Sequence, residues 1–172
     1  ECAAGKFAEG SANDEAEACI ECLAGTWQPN TRATLLSDCI ACIAGKYSTR
    51  VASVTEMDCI ECGRGNWSGA TANDEESDCI ACIAGTFVGV TGSTRNSDCI
   101  DCVAGLYSPV PASDACTDCV PGQYQGQDMQ TECIECDPTY YQGAVRATEC
   151  IQCVAGTYQP AAASLFCEDC TA

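Results

Sequence analysis

The chain of 172 residues carries 19 cysteines, 25 acidic and 7 basic residues and no histidine, for a net charge of −18. That balance excludes nucleic acid as a partner, because phosphates are held by clustered Lys and Arg, and it speaks equally against anionic membrane surfaces. No run of eighteen apolar residues exists, so no membrane insertion is expected within this segment. The cysteine density is above the roughly 8–10 per cent that marks a disulfide scaffold, and bridges in such number persist only in an oxidising compartment. The expected location is therefore extracellular, secreted or on the cell surface. A chain opening at Glu1 without Met or an apolar leader is expected to have lost any signal peptide, and any anchor is expected outside the segment.

In chain order, the same pattern returns ten times. Cys2 stands alone and is followed by Ala3-Ala4-Gly5-Lys6-Phe7. Nine Cys-x-x-Cys pairs follow, at 19/22, 39/42, 59/62, 79/82, 99/102, 116/119, 133/136, 150/153 and 167/170. Counted from the second cysteine of each pair, five 20-residue repeats occupy residues 1–101. Four 17-residue repeats and the start of a tenth occupy 102–172. Fixed self-similarity of this length is the signature of a repeat array in which each unit leans on its neighbours. The shortening falls between the aromatic and the next cysteine, which marks that segment as a loop.

The aromatic position is filled by Phe7, Trp27, Tyr47, Trp67, Phe87, Tyr107, Tyr124, Tyr141 and Tyr158. These nine are expected to stack on the adjacent bridge as the core of each repeat, because aromatics dominate small cores. Gly5, Gly25, Gly45, Gly65, Gly85, Gly105, Gly122 and Gly156 stand two residues before the aromatic, and a tight turn with positive φ accounts for them. The eighth repeat departs, with Asp137-Pro138-Thr139. The residue after the first cysteine of a pair is Ile in seven of nine cases, which suits an extended backbone. No helical periodicity is sustained. The reading is a small, disulfide-rich, mostly irregular fold with short β-strands around each Cys-x-x-Cys and each Gly-x-aromatic. It predicts an elongated rod or solenoid with one disulfide per repeat.

Connectivity is not generally deducible from sequence, but repetition narrows it. Bridges within a Cys-x-x-Cys make small strained rings typical of redox sites. The simplest repeatable alternative joins the second cysteine of one pair to the first of the next: Cys2–Cys19, Cys22–Cys39, Cys42–Cys59, Cys62–Cys79, Cys82–Cys99, Cys102–Cys116, Cys119–Cys133, Cys136–Cys150 and Cys153–Cys167. Cys170 is left unpaired within this segment, and the array is expected to continue beyond it. A bridge closing a loop of about 15 residues contributes roughly 3 kcal/mol through the unfolded state, where each repeat has little apolar surface to bury.

Cys-x-x-Cys-x-x-Gly-x-aromatic with one bridge per unit resembles the ephrin-receptor-like cysteine-rich repeat. It is also similar to the single-disulfide modules that open tumour necrosis factor receptor repeats. The resemblance covers nearly the whole chain and implies an extracellular, elongated, disulfide-laddered fold. The chain differs from the receptor pattern in lacking a second bridge per unit.

Other chemistries fit less well. Zinc wants four ligands, and nine pairs would leave one orphaned. Thiol redox chemistry wants an electropositive setting, whereas Asp38, Asp58, Asp78 and Asp98 each precede a cysteine. The acidic loops at Asp14-Glu15 and Asp74-Glu75-Glu76 lack the spacing of a calcium loop. No metal, no cofactor and no catalytic group is expected, and the chain is read as no enzyme. Asn66-Trp67-Ser68 is an N-glycosylation sequon. The loop 108–113 and other Ser/Thr-rich loops are candidates for O-glycans. The expected function is structural: an acidic extracellular rod that self-associates into a filament, appendage or coat. The alternative is the stalk or ligand-binding ectodomain of a receptor or adhesion protein.

Overall fold

The computed structural model describes residues 1–8 and 19–170. It is a small disulfide-rich fold of short antiparallel strand pairs, with no α-helix among those residues. Each Gly-x-aromatic segment supplies a two-residue strand that pairs with the two residues between the cysteines of the next pair. The first hairpin joins Lys6–Phe7 to Ile20–Glu21 and the last joins Thr157–Tyr158 to Glu168–Asp169. The register sets aromatic against isoleucine: Phe7 opposite Ile20, Trp27 opposite Ile40, Tyr47 opposite Ile60 and Trp67 opposite Ile80. An aromatic facing a β-branched residue is a favourable cross-strand pair, which accounts for the recurrence of both.

One disulfide closes each hairpin. The bridges run from Cys2 to Cys19, Cys22 to Cys39, Cys42 to Cys59, Cys62 to Cys79 and Cys82 to Cys99, each with a sequence separation of 17. They continue from Cys102 to Cys116, Cys119 to Cys133, Cys136 to Cys150 and Cys153 to Cys167, with a separation of 14. Cys170 is a free, exposed thiol.

The three residues that distinguish the longer repeats have a defined shape. They form a single 3-10 turn at Leu36–Asp38, Glu56–Asp58, Glu76–Asp78 and Asn96–Asp98. In three of the four, the aspartate that precedes the cysteine folds back to cap the turn; in the other, the Thr55 hydroxyl accepts from Met57 N–H at 3.3 Å. Asp78 Oδ2 accepts from the backbone N–H groups of Asp74 and Glu75, at 3.0 and 3.1 Å. Asp38 does the same for Thr34 and Leu35, and Asp98 for Thr94 and Arg95. Helix-cap bonds of this kind contribute about 0.5–2 kcal/mol. Asp78→Ala is therefore expected to lower unfolding stability by about 1 kcal/mol while leaving the bridge pattern intact, as read by denaturant titration of the oxidised protein.

The chain divides into two compact units, Glu1–Ala81 with Val90–Asp98, and Cys82–Gly89 with Cys99–Ala172. Within each unit the same backbone hydrogen bonds join successive repeats. In the first, Gly25 N–H donates to the Ser48 carbonyl at 2.7 Å, Gln28 N–H to Ser53 at 2.9 Å, and Ala52 N–H to Cys22 at 2.8 Å. In the second, Gly105 N–H donates to Gln125 at 2.7 Å, Ser108 N–H to Gln130 at 3.0 Å, and Met129 N–H to Cys102 at 2.8 Å. The residue that reaches back to the cysteine is left-handed, with φ of 53° at Ala52 and 60° at Met129. Its own carbonyl packs on the glycine of the repeat two places earlier. A Cβ on Gly45 would stand 2.3 Å from the Gly92 carbonyl oxygen, and one on Gly105 would stand 2.4 Å from that of Arg146. The glycine is thus required by close approach as well as by its φ of 79° at Gly45.

The core differs from the expected one. Of the nine aromatics, Phe7 is buried, Tyr158 is 46% exposed, and Trp27, Tyr47, Trp67, Phe87, Tyr107, Tyr124 and Tyr141 are half-buried. The sealed positions are the second cysteine of the pairs from Cys22 to Cys136 and the residue after the aromatic: Gln28, Ser48, Ser68, Val88, Ser108, Gln125, Gln142 and Gln159 are all buried. The physical reason is the stack. Backbone meets backbone where one repeat joins the next, so the centre admits sulfur, glycine and small or amide side chains, and the rings are left to cover the hairpin's flank. Buried amides need partners, and these have them. Gln142 Nε2 donates to the Glu149 carbonyl at 2.8 Å while its Oε1 accepts from Ala144 N–H at 2.9 Å. Gln125 and Gln159 are clipped in the same way.

Candidate interaction surface

The positions that the stack does not consume recur on its outside. Five of the Cys-x-x-Cys segments expose two apolar side chains, the first inside the pair and the second just after it, and three expose one. The pairs are Ile20 with Leu23, Ile40 with Ile43, Ile80 with Ile83, Ile100 with Val103 and Ile151 with Val154. Ile60, Val120 and Ile134 are single members. Exposure is large, 66% at Leu23, 58% at Ile43 and 71% at Val154. Scattered exposed apolar residues are ordinary, but a repeated set at one structural position is a surface feature. Because identical hydrogen bonds join neighbouring repeats, each pair is carried to the next by one constant step within a unit.

Grooves lie beside the ridge. One of about 390 Å3 is lined by Phe87, Ile100, Asp101, Val103, Leu106 and Arg146 among others. Another of about 290 Å3 is lined by Tyr141, Ile151, Val154 and Phe166 among others. A third of about 300 Å3, at the irregular eighth repeat, has a different character and is lined by Tyr124, Glu135, Asp137, Tyr140, Glu149 and Cys150.

The remaining sequence features fall as follows. Asn66 lies on the strand Asn66–Trp67, half-buried, its amide donating to the Arg64 carbonyl at 3.0 Å. Ser68 of the same sequon is buried, and its hydroxyl accepts from Asn73 at 2.9 Å. Ser108, a proposed sugar acceptor, is fully buried, with its hydroxyl 2.7 Å from that of Ser113. Asp74 and Glu75 belong to the capped turn, whereas the matching acidic loop at Asp14-Glu15 lies outside the described residues. No group of three or more metal-ligating side chains is gathered among the described residues, and none of their helices is long and apolar enough to cross a membrane. Five basic residues are paired with carboxylates, including Lys6 with Glu21 at 3.1 Å and Arg146 with Asp118 at 2.8 Å. At Tyr158 the hydroxyl donates to Glu168, and that bond, with the carboxylate's charge, holds the phenol pKa above its ordinary value.

A ladder of single bridges joining short hairpins, with this density of disulfides, defines an extracellular or cell-surface cysteine-rich repeat module. Residues 10–59 match the family model described as tyrosine-protein kinase ephrin type A/B receptor-like, so that over this stretch the chain is similar to the receptor-like repeat of that family. No curated protein matches the chain.

The residue after the aromatic lies in the segment that its variable length marks as a loop, yet it is buried in eight repeats. A signal for it existed. That position holds Gln four times and Ser three times in nine repeats, a narrow choice for a free loop and a natural one for a site that must be both small and hydrogen-bonded.

Proposed function

We propose that the protein is an extracellular structural component whose repeats associate with those of other copies to build a filament, appendage or surface coat. The observation that carries this reading is the exposed apolar pair repeated at one position, most regularly Ile40 with Ile43 and Ile100 with Val103, beside grooves with apolar walls. A second copy presents the same knobs at the same step, so one match between copies brings the next into register. The disulfide ladder supports the role by holding each repeat against mechanical and proteolytic opening. The reading assigns no catalytic residue and no cofactor. Asn66, which keeps a second amide proton beyond the one given to Arg64, is the attachment point for an N-linked glycan on such a protein.

Self-association has to overcome the repulsion of −18 charges per copy, which salt screens. Assembly, followed by sedimentation and electron microscopy, is expected to increase as ionic strength rises from low to physiological. The double substitution Ile40→Asp/Ile43→Asp is expected to leave a folded monomer under the same conditions. The double substitution Val51→Asp/Val90→Asp, an equal charge placed on two exposed valines off the ridge, is expected to assemble like the parent. Equal assembly by the Ile40/Ile43 variant, or a monomer at every salt concentration, overturns the proposal. In the second case, isolated particles that capture a soluble partner favour the receptor-ectodomain reading, to which the family match of residues 10–59 lends support.

A further inference from the structure

We propose that the groove between Tyr124 and Tyr140 binds a cationic group, the side chain of a lysine or arginine presented by a basic segment of a partner protein. The eighth repeat is where the pattern breaks, and its changes converge on this one place. The apolar residue that follows the second cysteine in most repeats is here Asp137. The glycine is Thr139, which holds the left-handed conformation at φ 75° and still donates its N–H to the Gln159 carbonyl at 2.8 Å. The residue before the motif aromatic, elsewhere Lys, Thr, Asn, Leu or Gln, is here a second aromatic, Tyr140. The backbone of the stack is thus preserved while three side chains change, and a β-branched residue is kept at a φ that such residues rarely adopt.

The cavity those changes line has the composition of a cation site. Two phenol rings supply π faces, and Glu135, Asp137 and Glu149 supply negative charge. None of these three carboxylates has a side-chain hydrogen bond or an ion pair among the described residues, so the protein itself does not neutralise them. The surroundings offer no alternative counter-charge. The second compact unit carries ten carboxylates and one basic residue, Arg146, which is already paired with Asp118. A volume of about 300 Å3 admits an extended alkyl-ammonium or guanidinium side chain but not a folded domain. Aromatic faces attract such cations through the ring quadrupole, and the Arg or Lys stem packs on the ring at the same time.

The test uses the intact oxidised chain, labelled with 15N, at physiological salt, with a short tri-lysine peptide as probe and its norleucine counterpart as the neutral control. Saturable shifts are expected at Thr139, Tyr140 and Glu149 with the lysine peptide and none with the norleucine one. Tyr140→Leu and Glu149→Gln are each expected to weaken binding about fivefold or more, whereas Tyr140→Phe retains it, which separates loss of the ring from loss of fold. Asp114→Asn, an exposed carboxylate outside the groove, is expected to bind like the parent. Shifts spread over all acidic residues, or equal weakening by Asp114→Asn, would show general charge attraction and overturn the site. So would shifts at the same residues with a neutral disaccharide that Glu149→Gln leaves unchanged, since the groove would then be a sugar site.

Discussion

Gly45→Ala is expected to prevent recovery of the native disulfide ladder, or to destabilise it by about 4 kcal/mol or more where the protein can be isolated, an effect at the extreme of single substitutions. The new methyl would lie 2.3 Å from the carbonyl oxygen of Gly92. That oxygen belongs to backbone in a hydrogen-bonded loop, since Gly92 N–H donates to Cys62 at 2.9 Å, so it cannot retreat as a flexible side chain could. Gly156→Ala supplies the internal control. Gly156 has φ 91° and nothing within 4 Å of its added Cβ, so it should show only the left-handed penalty of about 1–2 kcal/mol. Denaturant titration of both variants, with non-reducing peptide mapping of the bridges, measures the contrast. Equal destabilisation at the two positions would mean that φ alone selects the glycine and that contact between alternate repeats contributes nothing.

The second large effect concerns the bridges. Replacing Cys42 and Cys59 together by serine is expected to lower stability by about 2–5 kcal/mol and to open the loop between them to proteases. The turn around Met57, which is 89% exposed, should be cut first. The damage should not stop at one repeat. The Cys42 carbonyl accepts from Ala72 N–H at 2.9 Å and Cys42 N–H donates to Gly25 at 2.8 Å, so the repeats on both sides lose a fixed partner. Stability in stacked repeats is a sum of intrinsic and neighbour terms, and here the intrinsic term is small without sulfur. Cleavage confined to residues 42–59, with the flanking repeats as resistant as before, would show that each hairpin stands by itself.

What could be read in advance followed from regularity. Strand positions were legible because aromatic and isoleucine recur at fixed distances from the cysteines, and one bridge per repeat was legible because any pairing had to repeat. The positive φ at Gly5, Gly25 and their equivalents was legible from the turn. The placement of the rings was not. Burial in a chain of ordinary fold follows apolar character, but here the centre is filled by main chain, and that favours Ser48 and Gln142 over Tyr47 and Tyr141. The left-handed residues Arg32, Ala52, Ala72 and Met129 carry no common side chain, so nothing in the residue types announced them. Their conformation is imposed by the hydrogen bond each makes to a cysteine carbonyl in the preceding repeat. The caps formed by Asp38, Asp78 and Asp98 were visible as a recurring residue beside a cysteine, but the bonds they make to backbone four and three residues upstream emerge only with the turn itself.

The 3-10 turn comes and goes without disturbing the frame. The Cα atoms of bridged cysteines are 5.7 Å apart both at Cys82–Cys99, where the turn is present, and at Cys102–Cys116, where it is absent. Such a segment behaves as a cassette. Foreign sequence grafted there would be displayed outward at evenly spaced stations on a covalently fastened support. Sequence variation could likewise change the outward-facing residues of the turn while the architecture underneath stays the same.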